Sequence, residues 1–342
     1  MTNDLCEVGG ELMRTKIGYF ASLEQYKPMD ALEQAVRAEK VGFHSVWADD
    51  HFHPWYHTNA QSAQAWAWMG AALQATKKVF FSTCITCPIL RYNPGVVAQT
   101  FATLRQMYPG RVGIAVGAGE AMNEVPVTGK WPTVPVRQAM TVEAVDVMRK
   151  LWESDKPVSF KGEFFTLEKA FLYTKPEDQV PLYFSGMGPK GARLAGEFGD
   201  HLMTVAADPD KLKNETIPNF VIGAKKADKN PENMEHAMLI WYSIDEDYDK
   251  AIEGLRFWAG CLVPSMFKYR VCEASEVELH ADMVNHAMIK ENYMVATDAE
   301  ELIKGIERFT DVGIDHFCLG NSSPNVNNGI DIFKEVIPAV TS

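Results

Sequence analysis

No apolar run in these 342 residues approaches the roughly 20 that a bilayer-spanning helix needs. The opening segment 1–12 is polar and mixed, without the basic and apolar blocks of a secretory signal. It reads as an extension before the first strand-like run, which begins at Arg14, or as sequence preceding a true start at Met13. A cytoplasmic location is expected. Positive charge is in deficit, with 33 Lys and Arg against 45 Asp and Glu and a net charge of −12. That balance makes nucleic acid and anionic membrane surfaces poor partners, and an anionic ligand would need local amide donors or cations. Cysteine is sparse, at 6, 84, 87, 261, 272 and 318, unlike the dense framework of a small secreted domain. There is no internal repeat and no low-complexity tract. With 46% hydrophobic and 23% charged residues, the chain has an ordinary globular balance rather than a disordered one.

What is present is alternation. Eight short apolar or β-branched runs, at 15–22, 45–49, 79–86, 111–117, 180–186, 201–206, 237–244 and 316–320, are mostly followed by helical periodicity. Amphipathic helices are expected over 29–41 and 96–107. Asn93 and Pro94 serve as N-cap and first helical residue of the second, and Pro109-Gly110 closes it. Strand–helix alternation implies parallel strands with crossovers, and the count of eight favours a (β/α)8 TIM barrel, an α/β fold, over a doubly wound sheet. Residues 13–342 then form one barrel domain, with insertions near 128–178 and 260–290.

Barrel chemistry sits at the C-terminal strand ends. Strand 2 ends in Asp49-Asp50-His51, with His53, Trp55 and His57 close by. A divalent metal site of the barrel-hydrolase kind would need further ligands from later strand ends. His201, His236 and His316 instead open strands, and His280 and His286 fall in an insertion, so no metal is expected. A solvated polar loop is the structural alternative, and His51 as an acid/base tuned by Asp49 or Asp50 is the chemical one. Cys84-x-x-Cys87 has redox spacing, but it lies in an apolar run with no second pair for zinc. Gly117-Ala118-Gly119-Glu120 lacks the third glycine of a dinucleotide fingerprint, Met122 standing there. It still allows close backbone approach and places a carboxylate at a strand end. The turn Ser185-Gly186-Met187-Gly188-Pro189-Lys190-Gly191 is either a phosphate cradle at a helix N-terminus or a plain tight turn. Trp55, Trp241 and Trp258 fall near the mouth, whereas Trp66 and Trp68 sit in a helix as packing.

Taken together, Ala21-Ser22-Leu23-Glu24-Gln25-Tyr26, Asp50-His51-Phe52-His53-Pro54-Trp55, Arg91-Tyr92-Asn93-Pro94 and residues 117–124 resemble one family. Arg256-Phe257-Trp258-Ala259 and Val295-Ala296-Thr297-Asp298 continue the match. It is the F420-dependent branch of the bacterial-luciferase-like superfamily, and the likeness runs from about Met13 to Ile337. That branch holds glucose-6-phosphate dehydrogenases, methylenetetrahydromethanopterin reductases and the secondary-alcohol dehydrogenases of methanogens; the chain resembles the last group most. The resemblance implies coenzyme F420 across the barrel mouth, a homodimer, and a small secondary alcohol or ketone as substrate. By the same resemblance His51 and Trp55 face the substrate oxygen and Glu120 reaches the pyrimidine end of the ring. Asp50, Cys87, Ala118, Gly119, Asn123, Met187, Gly188, Lys190 and Gly191 contact the cofactor, and a non-prolyl cis peptide at Cys84-Ile85 backs it. Trp55, Trp241, Trp258 and Cys261 would wall the substrate pocket. Val205, Asp208 and Asn292 stand where the sugar-phosphate group carries polar and cationic side chains, while the cation at Lys268 is kept. An FMN monooxygenase of the same superfamily and a metal-dependent barrel hydrolase are the rival readings.

Overall fold

A computed structural model describes residues 15–205 and 208–341, so the expected 1–12 extension and the run's start at Arg14 lie outside the described residues. Eight strands form the barrel: β1 (Lys16–Ala21), β2 (Ser45–Ala48), β3 (Phe80–Thr83), β4 (Ile114–Val116), β5 (Leu182–Ser185), β6 (His201–Val205), β7 (His236–Ile244) and β8 (His316–Asn321). They pair in parallel in the order β3–β2–β1–β8–β7–β6–β5–β4. Bridges between Phe81 and Val112 and between Thr86 and Val116 return β4 to β3 and close the ring. All eight expected runs become barrel strands, mostly shorter than their apolar stretches.

Parallel strands buried on both faces sort their side chains by simple alternation. Phe20, Trp47, Ala115, Tyr183, Met203, Leu239 and Cys318 fill the inside, in a cluster continuous with Trp55, Trp241 and Trp258 at the mouth. Ile17, Val46, Phe81, Ile114, Leu182, Met238 and Phe317 face outward onto the helices. The N-terminal end is tied by polar groups. Glu235 takes hydrogen bonds from Tyr183 Oη and His316 Nδ1, each at 2.7 Å, and an ion pair from Lys16 at 2.5 Å. This places the strand-opening histidines on the face that serves stability.

Helix boundaries follow local chemistry. Asn93 Oδ1 accepts the Gly95 amide ahead of the helix Pro94–Met107, and Gly42, at φ 112°, closes the helix Pro28–Val41. Within 128–178 lie the long helix Val134–Glu153 and an antiparallel hairpin, Val158–Lys161 with Thr166–Ala170, which the alternation did not announce. A further short strand, Met294–Ala296, pairs with β7 and carries that strand on to Ile244. Residues 260–290 are short helices laid over one side of the mouth.

Candidate active site

The C-terminal strand ends open into a cleft of about 850 Å³, and every site residue expected from the sequence lines it. His51, just beyond β2, is the junction of its polar side. The ring Nδ1 lies 3.1 Å from the His53 carbonyl, which can only accept, so the neutral-ring proton is assigned to Nδ1. The Nε2 lone pair therefore faces Glu120 Oε2, 3.3 Å away. Glu24 Oε1 stands 3.3 Å from Nδ1. These spacings would also suit an imidazolium between two carboxylates, but burial disfavours charge on all three groups. It takes His51 down to about 3, helped by the Arg91 charge. It takes Glu120 up to about 7, with Glu124 adding repulsion, and pushes Glu24 well above the carboxylate range, with Asp49 next in effect. Burial thus favours the neutral form of each group, with the Nε2 lone pair turned to the Glu120 carboxyl.

This corrects the pairing expected from sequence. Neither adjacent aspartate holds His51. The Asp50 carboxylate accepts from Thr86 Oγ1 (2.7 Å), Tyr92 Oη (3.0 Å) and Arg91 Nη2 (3.1 Å). Asp49 accepts the amides of Leu23 (3.0 Å) and Glu24 (3.3 Å). The partner is Glu24, from the loop after β1, whose Oε2 also accepts the Trp55 amide at 2.6 Å. Glu24 is the functional residue the sequence reading passed over; its signal was a carboxylate just past a strand end. Arg91 is a second, tied to Asp50 and to Glu124 through its own amide at 2.6 Å.

Glycines and a tight backbone turn line the cleft floor. The cis peptide Cys84-Ile85 follows β3. Gly117 sits so close that a Cβ there would come to 3.0 Å of Ile85 Cγ2, and Gly119, at φ 75°, leaves no room for one beside Cys87. Ala118 is fixed from behind, its carbonyl accepting Arg137 Nε at 3.0 Å. Asn123 acts as a tie: its Oδ1 accepts the Phe52 amide at 2.8 Å and its Nδ2 donates to Glu120 at 3.2 Å. At one end, Gly188 precedes the helix Pro189–Phe198 without a side-chain cap. A Cβ on Gly188 would meet nothing within 4 Å, and Lys190 and Gly191 line the cleft beside it. A planar ring against Ile85 and residues 117–119, with an anionic end near 188–191, fits this floor.

The other end is aromatic. Trp241 and Trp258 lie 4.8 Å apart, Trp55 is 6.2 Å from His51, and Phe267 is 5.3 Å from Trp55. Gly320 of β8 makes this possible, since a Cβ there would collide with the Trp241 indole. Cys261 completes the lining. Asp208 caps its own short helix through the amides of Asp210 and Lys211, and Asn292 Nδ2 turns back to the Met288 carbonyl at 2.9 Å. The Lys268 side chain lies outside the described set. Among the described residues no cluster of His, Cys, Asp and Glu is arranged to hold a metal, and no helix is long and apolar enough to cross a membrane.

Comparison with known proteins bears on this cleft. The profile of the luciferase-like monooxygenases matches residues 13–316. An F420-dependent glucose-6-phosphate dehydrogenase of Amycolatopsis mediterranei (strain U-32) is 40% identical over 326 residues, 94% of this chain and 98% of its own. An F420-dependent secondary alcohol dehydrogenase, solved in complex with an F420–acetone adduct, is 80% identical. Its TM-score is 0.95, and the match covers 96% of this chain and 100% of that one. The F420-dependent tetrahydromethanopterin reductase of Methanopyrus kandleri shares the fold at 22% identity, with a TM-score of 0.78 over 96% and 99% of the two chains.

Proposed function

The chain belongs to the luciferase-like monooxygenase family, and we propose that it is an F420-dependent alcohol dehydrogenase acting on small secondary alcohols and ketones. The observation that carries this reading is the meeting of one proton-handling edge, His51 between Glu24 and Glu120, with an aromatic pocket. The 80% identity to a secondary alcohol dehydrogenase, against 40% for the sugar-phosphate enzyme, supports it. So do Asp208, an anion on the cleft lining that would repel a phosphate, and Asn292, whose Nδ2 is bonded to the Met288 carbonyl.

Bound F420 supplies a ring carbon that accepts and returns hydride, with little reactivity toward oxygen. The protein's part follows from its own groups. Ile85, Ala118 and Gly119 would support the ring, with Cys84 and Cys87 lining the same side of the cleft. Gly188, Lys190 and Gly191, with Met187 beside them, would receive the anionic tail. His51 Nε2 takes the hydroxyl proton in oxidation and gives it back in reduction. The Trp55 indole N–H steadies the alkoxide. Glu120 would hold or give a proton toward the bound ring, and its rise by burial to about 7 suits both directions. Asp50 acts at one remove, fixing Arg91 and the strand-2 end. Trp241, Trp258 and Cys261 exclude water and select two or three carbons around the carbinol. A homodimeric, cytoplasmic enzyme belongs to the same reading, and gel filtration reads the first part. The direct test is acetone reduction by reduced F420, followed by the return of F420 absorbance. Turnover that His51→Ala abolishes supports the reading; no turnover in the intact enzyme overturns it.

A further inference from the structure

We propose that Gln25 is a positioning residue of the substrate pocket: from the loop after β1 it holds the Trp258 indole in place, and so sets which alcohols fit. This deepens the reading of the cleft as an alcohol site and rests on it.

Trp258 lines the cleft yet is only 1% exposed. A buried indole N–H needs an acceptor. Here it is Gln25 Oε1, 3.2 Å from Nε1. An indole only donates, so the oxygen of the Gln25 amide, not its nitrogen, is assigned to face it. The same oxygen accepts Ser322 Oγ at 3.2 Å, from just beyond β8. The loop that carries Gln25 is itself pinned. Asp49 accepts the Leu23 and Glu24 amides, Glu24 Oε2 accepts the Trp55 amide, and Tyr26 Oη donates to the Asn321 carbonyl at 3.1 Å. Gln25 therefore reaches the indole from a fixed base.

The other contacts of Trp258 do not do this work. Tyr293 Oη donates to the Trp258 carbonyl at 2.7 Å, which fixes the backbone and not the ring. Phe20 and Trp241, with centroids at 5.8 and 4.8 Å, bury the indole through dispersion, which is non-directional and sets its tilt weakly. Consecutive residues of one loop thus serve the two sides of the cleft, Glu24 beside His51 and Gln25 behind Trp258. Without the Gln25 acceptor the N–H is left buried and unpaired, which is costly enough for the ring to leave its place. A wall that no longer holds one position discriminates less by size.

The test is alcohol selectivity read beside indole exchange. Gln25→Met keeps the length of the side chain without its acceptor. The ratio of kcat/KM for 2-propanol to that for 3-pentanol should fall roughly five- to a hundredfold. The loss should lie in the 2-propanol KM rather than in kcat, with F420 affinity unchanged. In the cofactor-free protein the Trp258 indole proton, identified in 15N NMR spectra by its loss in Trp258→Phe, should exchange with solvent faster by a similar factor. Gln25→Asn, one carbon too short to reach, should do the same, and it serves if Gln25→Met does not fold. In a Trp258→Phe background Gln25→Met should add little. A merely structural Gln25 would lower kcat for both alcohols alike, or weaken F420 binding, with the indole still protected; either result overturns the proposal. So does a full loss of selectivity that recurs in the Trp258→Phe background. Absence of alcohol oxidation in the intact enzyme would contradict the functional reading instead, leaving the indole exchange to decide on Gln25.

Discussion

His51 and Glu120 divide the proton work, and each predicts a distinct loss. His51→Ala removes the imidazole whose Nε2 lies 3.3 Å from Glu120 Oε2. Turnover should fall by roughly 10²–10⁴-fold with F420 affinity nearly unchanged, which steady-state kinetics and a fluorescence titration can separate. Glu120→Gln keeps the Asn123 tie but cannot ionise. It should slow single-turnover hydride transfer more than it raises the alcohol KM. Equal loss in both would move Glu120 to the substrate. His51, Trp55 and Glu120 were legible because strand-end residues need only the strand to be found. Glu24 was not, because its role depends on the β1 loop folding over the β2 end. Asp49 and Asp50 were misread as partners of His51 for a related reason: adjacent residues at a strand end point opposite ways, one to the β1 loop and one to Arg91.

At the scale of elements, the substrate pocket depends on β7 and β8 in register. Gly320 pairs with Trp241 and leaves the indole room to lie over β8. Gly320→Ala should push the ring into the pocket at an overpacking cost of about 1–3 kcal/mol, read as roughly ten- to a hundredfold in the ketone KM. Cofactor affinity should hold, and a loss of F420 binding instead would show that the strand itself had moved. The barrel strands were readable because parallel strands buried on both faces are continuous apolar runs. The three-residue strand Met294–Ala296 is too short for a periodic signal. The hairpin Val158–Lys161 with Thr166–Ala170 alternates only weakly, its side chains being exposed or half-buried.

The whole molecule concentrates buried acids at its mouth, which shapes its stability against pH. Glu24 is pushed well up and Glu120 and Glu124 each rise to about 7 at the mouth, while Asp315, at the opposite end of the barrel, also rises to about 7, in each case by burial first. Such groups keep protons when folded at a pH where the unfolded chain has lost them. Their contribution is present below the ordinary carboxylate value near 4 and lost as pH rises through about 7. Glu235, held low by His316 although burial opposes it, works the other way and loses its contribution only in acid. The melting temperature should therefore be higher at pH 6 than at pH 8.5. A steady rise between those values would contradict the neutral state assigned to the cluster.

The cleft passes hydride between F420 and a small secondary alcohol. F420 reduction measured side by side with 2-propanol and with glucose 6-phosphate tests it most directly. The apolar pocket and the absence of a cation at Asp208 and Asn292 predict turnover with 2-propanol and little or none with the sugar phosphate. Preference for glucose 6-phosphate would contradict it.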